Sequence, residues 1–311
     1  NGRMRLRDLV DVSASVGATR ARNAKVAALA ELLARAAPPE APVVVSWLSG
    51  ELTQRQIGVG WALLRDAPPP AMDSALTVAE VERTFAEVGA LGGSGSTGAR
   101  RDAMRALLAR ADHDEQAFLV RLLTGEIRQG ALAGVMADAV AKAAGVAAAE
   151  VRRALTLHGN LAQIASIALT DGAAGLAAIR LEVGRPLAPM LAGTATDVAA
   201  ALEKIAPAAV DSKLDGARVQ VHRDGEDVAI YTRSLDDVTA RLPEVVSAAL
   251  ALDATSRVLD GEAIALRHDG RPEPFQVTAS RFGSRTERSV PLASLFFDVL
   301  HVDGEDLLDE P

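Results

Sequence analysis

The sequence predicts two domains, an all-α domain followed by an α+β domain with an antiparallel sheet. The chain has 311 residues, whereas a single core usually stops growing at roughly 250–300 residues. Up to about residue 175, apolar residues recur three and four positions apart, and further on they fall in short alternating runs. Pro186 and Pro189 separate the two patterns and cannot propagate a helix. We therefore predict a helical domain at 1–183, a linker at 184–192 and a second domain at 193–311.

The first domain reads as one helix after another. A helix rich in Ala and Leu is predicted in "RARNAKVAALAELLARAA". A proline-rich loop then leads into "TVAEVERTFAEVGAL", where Thr77 is the predicted N-cap and Glu80 completes a capping box. Further helices are predicted, in order, in "RRDAMRALLARA", "DEQAFLVRLLTGEIRQG", "MADAVAKAAG" and "AAEVRRALTLHG".

The second domain begins after "VGRPLAPMLAG", which is predicted to be extended. The runs "ARVQVHR" and "VAIYTR" are separated by "DGED", which predicts a β-hairpin. Two more strands are predicted in "SRVLDGEAIAL" and "SLFFDVLHV", with a helix in "DVTARLPEVVSAALAL" between the hairpin and the third strand. This order predicts an α+β domain rather than a parallel sheet.

Composition excludes several kinds of protein. Hydrophobic residues make up 49% and charged residues 24%, which is typical of a globular protein with an ample core. There is no cysteine, so disulfides, thiolate metal sites and cysteine nucleophiles are excluded. The five histidines do not fall at metal-ligand spacing. No apolar run reaches the roughly 18 residues of a membrane span and no signal peptide is visible, so we expect a cytoplasmic protein without a membrane partner.

The net charge of −8 is unevenly distributed. The first 190 residues are slightly basic, and the excess of acidic residues lies in the remainder. A polyanion is therefore expected to bind more easily to the helical domain.

The segment "GSGSTG", from Gly93 to Gly98, matches a dinucleotide-binding pattern, but a helix rather than a strand precedes it. It is either a flexible connector or a phosphate-binding helix N-terminus of the kind that contacts a nucleic-acid backbone. In the second interpretation the contacts come from Ser96, Thr97, Arg100 and Arg101. The segment "GEIRQGALAG", with Arg128, has the same two interpretations.

Lys213 is one of only four lysines in a chain whose other basic residues are arginines. Its segment "DSKLDGAR" is followed in order by "YTRSLDDVT", "LDGEAIAL", "PFQVTASR" and "LFFDVLHVDGEDLL". This set resembles the lysine nucleotidyltransferases, and specifically the ATP-dependent DNA ligases of the archaeal and eukaryotic type that some actinobacteria carry. The helical half is similar to the DNA-binding domain of that family, and "RPLAPMLA" to the segment entering its adenylation domain. The resemblance covers essentially the whole chain.

The resemblance implies that Lys213 attacks the α-phosphate of ATP, releases pyrophosphate and holds AMP as a phosphoramidate. AMP then passes to the 5′-phosphate at a nick in double-stranded DNA, and the 3′-hydroxyl displaces it to seal the strand. An amine suits this step because it becomes a nucleophile on losing a proton, whereas the guanidinium of arginine stays protonated. The enzyme is expected to act as a nucleoid-associated monomer with Mg²⁺.

The resemblance also assigns the residues around the nucleotide. Asp211 stands where most relatives have Glu and is expected at the adenine amino group, while Asp215 is expected to orient the lysine or hold its turn. Arg218 is expected to lie near the ribose and a phosphate, and Arg233 near another phosphate. Glu262 is expected near the ribose and the metal, and Phe297 is expected to stack on adenine.

The family continues beyond these motifs with two lysine-containing segments and an oligonucleotide-binding barrel, and this chain has no lysine after Lys213. We therefore expect an adenylation domain that is incomplete at its C-terminus, and weak self-adenylation of these 311 residues alone. Two alternatives stay open at this point: a non-catalytic module that binds nicked or intact duplex, and an RNA ligase or capping-type nucleotidyltransferase. The large helical domain disfavours the second alternative.

Overall fold

The computed structural model describes residues 3–54, 56–65, 67–127, 133–189, 192–210, 212–283 and 290–310. The chain divides into two compact units, of which the first comprises Asn1–Leu155 with Asn160–Ile179 and the second Thr156–Gly159 with Arg180–Pro311. Within the described ranges, no helix is long and apolar enough to cross a membrane.

The first unit is helical, as predicted. Its described helices are α1 (Leu6–Ala18), α2 (Arg22–Arg35), α3 (Ala41–Leu48), α4 (Trp61–Leu64), α5 (Val78–Ala90), α6 (Ser96–Leu108), α7 (His113–Leu123), α8 (Ala133–Ala144), α9 (Ala148–His158, whose last three residues are assigned to the second unit) and α10 (Leu161–Ala177). They pack around one apolar core, in which the fully buried rings of Trp47 and Phe85 lie 5.5 Å apart. Helix α5 thus joins this core, and its C-terminal end leads into the glycine-rich segment.

The predicted capping box at the start of α5 is confirmed. The hydroxyl of Thr77 accepts the backbone N–H of Glu80, and the Glu80 carboxylate accepts the backbone N–H of Thr77 at 3.0 Å. Hydrogen bonds from Thr77 and Arg110 to the Glu80 carboxylate lower its pKa to about 2. The reciprocal bonds satisfy two N–H groups that a helix start would otherwise leave without partners.

The second unit contains a five-stranded antiparallel sheet in the order β2-β1-β3-β4-β5. Its described elements are α11 (Val198–Ile205), β1 (Ala217–Asp224), β2 (Asp227–Thr232), a short 3₁₀ turn (Thr239–Arg241), α12 (Pro243–Leu250), β3 (Ser256–Ala265), α13 (Phe275–Gly283), β4 (Leu292–Val302) and β5 (Glu305–Asp306). The four predicted strands are confirmed, and Gly225 takes φ +60° in the tight turn between β1 and β2.

One predicted helix in this unit needs correction, and two further helices were missed. The predicted helix over "DVTARLPEVVSAALAL" begins only at Pro243, because proline restricts the residue before it and favours the first helical position. Helices α11 and α13 were not predicted, since "TDVAAALEKI" and "PFQVTASRFG" are short and lie between loops.

Strand β1 places apolar and polar side chains on opposite faces of the sheet. Val219 and Val221 are buried in the core that α12 covers. Arg218, Gln220 and His222 alternate with them and therefore point to the other face.

The described part of the segment 184–192 is non-helical, and β1 binds it. The N–H of Gly184 donates to Nδ1 of His222 at 3.0 Å, and the N–H of Leu187 donates to Oε1 of Gln220 at 2.8 Å. Burial lowers the pKa of His222 to about 4, so the ring is neutral at physiological pH and Nδ1 can accept this bond. This histidine therefore has a structural contact with the linker.

Candidate active site

A cleft of about 880 Å³ in the second unit brings together five residues selected from the sequence. Among the residues that line it are Lys213, Arg218, Arg233, Glu262 and Phe297, which come from four separate segments of the chain. Asp211, the sixth predicted nucleotide-binding residue, lies outside the described residues. The cleft is large enough for a nucleotide-sized ligand.

Lys213 lies in the loop that precedes β1, and its side chain is 86% exposed. Its amine donates to the carbonyl oxygen of Leu214, and Nζ lies 4.0 Å from Oδ1 of Asp215. Because the Asp215 side chain is 85% exposed as well, this ion pair contributes little to stability. Neither contact buries the amine, which leaves it accessible to a ligand in the cleft.

Arg218 is oriented by Asp260, a residue to which the sequence analysis gave no role. The guanidinium donates from Nε to Oδ1 of Asp260 at 3.0 Å, and Nη2 binds the second carboxylate oxygen. This bidentate hydrogen bonding raises the pKa of Arg218, whose positive charge is therefore permanent. Asp260 is two residues before Glu262 on β3, so the two carboxylates share one face of the sheet. The two-residue spacing of Asp260 and Glu262 in "LDGE" was the sequence signal that could have indicated a role for Asp260 at the cleft.

Glu262 contacts the Lys213 loop, which we define as residues 212–216. Its Oε1 accepts the backbone N–H of Gly216 at 2.9 Å. A Cβ at Gly216 would lie 2.5 Å from the carbonyl oxygen of Ala263 and 2.9 Å from Cγ of Glu262, and would also contact Ile264. Only glycine therefore allows the loop to approach β3 this closely.

Phe297 lies at a β-bulge in β4 and is exposed on the face opposite to that of Phe296. Gly261 of β3 pairs with Phe296 and Asp260 pairs with Asp298, so Phe297 is the extra residue of β4 at that point. Phe296 packs against the apolar core, whereas Phe297 is 47% exposed and lines the cleft. Successive residues of a strand point to opposite faces, and β-bulges are over-represented beside active sites.

Arg233 lies in the turn directly after β2, where backbone hydrogen bonds join Thr232 with Leu235 and Asp236. Leu235 takes φ +67° in this turn, which is unusual for a residue with a side chain. The turn places an exposed arginine at the cleft, in addition to the partly exposed Arg218.

Two further phenylalanines line the cleft and were not predicted. Phe275 and Phe282 lie seven residues apart on α13, which places them on one face of that helix. With Phe297 they account for three of the six phenylalanines in the chain. The scarcity of phenylalanine in the chain was the sequence signal for these residues, but helix α13, which carries Phe275 and Phe282, was not predicted.

In the first unit, the glycine-rich segment ends in a helix N-terminus. Helix α6 begins at Ser96, directly after Gly95, which takes φ +86°. No side chain of the described residues caps this end, Thr97 is exposed and Ser96 is partly exposed. The Ser96 N–H donates to the carbonyl oxygen of Gly93, whereas among the described residues no backbone acceptor engages the N–H groups of Thr97 and Gly98. These two N–H groups are therefore available to an anion, as in the phosphate-binding interpretation.

Arg100 and Arg101, the two α6 arginines predicted to bind DNA, differ in their surroundings. Arg100 is partly buried, and its guanidinium donates to the carbonyl oxygens of Val88 and Leu91 at the end of α5. Arg101 is exposed. Arg128, the third predicted DNA-binding arginine, lies outside the described residues.

Family models cover both units. A model described as "ATP dependent DNA ligase domain" matches residues 189–311, and a model described as "DNA ligase N terminus" matches residues 67–141. The chain belongs to the ATP-dependent DNA ligase family. The first match contains all the residues that line the cleft, and the second contains the glycine-rich segment and α6.

Mycobacterial members of the ligase family align with nearly the whole chain. A "Probable DNA ligase" of Mycolicibacterium gilvum (strain PYR-GCK) is 60% identical over 313 residues, which cover 99% of this chain and 61% of that protein. One of Mycobacterium sp. (strain KMS) is 58% identical over 314 residues, with 99% and 60% coverage. The chain thus spans about 60% of the length of these curated relatives.

Solved ligase structures are less similar. A "mycobacterial DNA ligase D complexed with ATP and MES" is 33% identical, covers 32% of this chain and 31% of that chain, and has a TM-score of 0.28. The structure titled "Pmar-Lig_PreS3" is 14% identical, covers 94% of this chain and 56% of that chain, and has a TM-score of 0.43. TM-scores this low do not establish that this chain and either structure have the same three-dimensional arrangement.

The contacts of the two arginines in this ligase-family chain predict different effects of substitution. Arg100→Ala is expected to lower the free energy of unfolding by about 1–2 kcal/mol, because two carbonyls of α5 lose a charged donor. Arg101→Ala is expected to leave stability unchanged and to weaken binding of nicked duplex, reducing the slope of log K against log salt by about 1. Denaturant titration and fluorescence anisotropy measure the two effects. Arg101→Lys is the control and should preserve the slope; an unchanged slope in Arg101→Ala would mean that the segment is only a connector.

Proposed function

We propose that this chain forms the DNA-binding and adenylation parts of an ATP-dependent DNA ligase, which seals nicks in duplex DNA through lysyl-AMP and DNA-adenylate intermediates. The observation that carries the proposal is the cleft, because it gathers one exposed amine, two arginines, a carboxylate and an aromatic ring. These are the groups that transfer of a nucleotide to a lysine requires.

In the first step, Nζ of Lys213 attacks the α-phosphorus of ATP. A P–N bond forms, the bond between the α-phosphate and the bridging oxygen breaks, and pyrophosphate leaves while the amine loses its proton. Arg218 and Arg233 stabilise the negative charge of the phosphates, and Asp260 keeps the guanidinium of Arg218 oriented while they do so. Phe297 stacks on adenine, and Asp211 accepts a hydrogen bond from the adenine amino group.

The residues of the cleft fit a Mg²⁺ ion that is held partly by the substrate. Within the described residues, no group of three or more His, Asp or Glu side chains could hold a metal ion by itself. Mg²⁺ usually binds through one or two carboxylates together with phosphate oxygens and water. Glu262 is the carboxylate that we assign to it, and the ion would neutralise charge on the phosphates of ATP.

In the second step, a 5′-phosphate oxygen of the nick attacks the phosphorus of lysyl-AMP, and the P–N bond breaks. In the third, the 3′-hydroxyl attacks the 5′-phosphorus of the nick and AMP leaves. The helical unit binds the duplex without sequence preference, through phosphates at the N-terminus of α6 and at Arg101 and Arg128. The protein acts on the nucleoid as a monomer.

The test is a nick-sealing assay. Because the relatives are longer, the chain is extended by the remaining residues of the Mycolicibacterium gilvum protein. With ATP and Mg²⁺ we expect sealing of a DNA nick that carries a 5′-phosphate, and no sealing of the same nick without it. Binding of nicked DNA without transfer of AMP would favour a non-catalytic module, and preferential sealing of nicked RNA would favour an RNA ligase; either result would overturn the proposal.

A further inference from the structure

One carboxylate connects the nucleophile with the sheet. Glu262 is on β3, 46 residues from Gly216, and its Oε1 accepts the Gly216 N–H at 2.9 Å. Gly216 ends the Lys213 loop and immediately precedes β1. The hydrogen bond therefore ties the loop to a strand that is distant in sequence but central in the sheet.

The packing at Gly216 makes this contact specific. Its Cα is so close to β3 that a Cβ would lie 2.5 Å from the Ala263 carbonyl oxygen. The backbone N–H is thus directed at the Glu262 side chain from a position that only glycine can occupy. A change on either side of the contact would move the loop.

The same carboxylate retains one oxygen for a ligand. Among the described residues, no hydrogen bond or ion pair engages Oε2 of Glu262, while the side chain lines the cleft. The Glu262 side chain can therefore anchor the loop and bind a ligand at the same time, because a carboxylate accepts hydrogen bonds through both oxygens.

The position of the loop matters because, among the described residues, the lysine amine contacts only the Leu214 carbonyl oxygen and Asp215. Lys213 is three residues before Gly216, is 86% exposed, and lies 4.0 Å from an equally exposed Asp215. The backbone of the loop therefore determines where the amine can reach. For in-line attack on a phosphorus atom, a displacement of about 1 Å can cost about 10²-fold in rate.

We propose that Glu262 is a positioning residue for Lys213, in addition to any contact it makes with ribose or metal. Its carboxylate holds the Lys213 loop against β3. One hydrogen bond therefore fixes the position of the Lys213 loop relative to the Glu262 carboxylate. This proposal rests on the proposed function for its catalytic consequence, but the contact itself can be measured without ATP.

The experiment compares two uncharged replacements of similar length. Glu262→Gln keeps an oxygen acceptor for the Gly216 N–H, whereas Glu262→Met removes it. Hydrogen–deuterium exchange of the Gly216 amide is measured by NMR in the 311-residue protein without nucleotide. We expect exchange at least about tenfold faster in Glu262→Met than in the wild type, and a change below about threefold in Glu262→Gln. Amides of β1 and β3 serve as the internal control for folding, and Glu262→Ala replaces Glu262→Met if that variant does not fold.

A second measurement tests the consequence for catalysis. In the extended chain, the rate of AMP transfer to Lys213 is expected to fall in both variants and to be at least about tenfold lower in Glu262→Met than in Glu262→Gln. Equal Gly216 exchange in all three proteins overturns the tie, and equal transfer rates in the two variants overturn the positioning role. If wild-type protein transfers no AMP, the proposed function fails while the exchange result still decides the contact.

Discussion

Replacing Lys213 by arginine is expected to abolish labelling of the protein by ATP that carries a labelled α-phosphate. The loss should be about 10³-fold or more, as when a nucleophile is removed from an active site. Arginine keeps the positive charge and nearly the length of lysine, but its guanidinium remains protonated and delocalised, so it cannot form the P–N bond. Because the side chain is 86% exposed, the substitution should not affect folding.

The matched control for this prediction is Lys204→Arg. Lys204 is at the end of α11 in the same unit, and its amine contacts only the carbonyl oxygen of Thr194 among the described hydrogen bonds, at 3.4 Å. Its labelling should equal that of the wild type. Labelling is followed in the extended chain, where it is expected to be strongest, and retention of more than a trace by Lys213→Arg would mean that another residue carries AMP.

The second large effect is expected for Gly216→Ala. The new methyl group would meet the Ala263 carbonyl oxygen at 2.5 Å and Cγ of Glu262 at 2.9 Å, so the loop must move away from β3. Because this displaces the amine without altering its chemistry, we expect the rate of AMP transfer to fall by about 10²-fold. The melting temperature should change little, since Gly216 is in a loop at the edge of the cleft rather than in the core.

Gly193→Ala provides the comparison. An added Cβ at Gly193 meets no atom of the described residues within 4 Å, and this glycine does not have a positive φ. Its transfer rate should therefore match the wild type. If Gly216→Ala transferred AMP at the wild-type rate, the approach of the loop to β3 would have no role in catalysis.

Local patterns in the sequence predicted much of the fold. Alternation of Val219 and Val221 with polar residues predicted β1, and the segment "DGED" predicted its hairpin. The capping box of Thr77 and Glu80 was predictable because both partners lie within one turn of a helix. Each of these signals involves residues that are close in sequence. The motif residues that line the cleft were selected by family resemblance, not from such patterns.

Other features could not be predicted because they depend on contacts between distant segments. The β-bulge at Phe297 follows from the register of β4 against β3, which a sequence pattern does not specify. Arg100 contacts the end of α5 because α5 and α6 pack together. Asp260 on β3 contacts Arg218 on the neighbouring strand β1. Neither pair has a local signature.

The most direct test of the account is mass-spectrometric mapping of AMP after the extended chain has been incubated with ATP and Mg²⁺. We predict a single adduct on the peptide that contains Lys213, labile to acid as a phosphoramidate is, and discharged when nicked DNA with a 5′-phosphate is added. An adduct on a different residue, or no adduct in a protein that still seals nicks, would contradict the account.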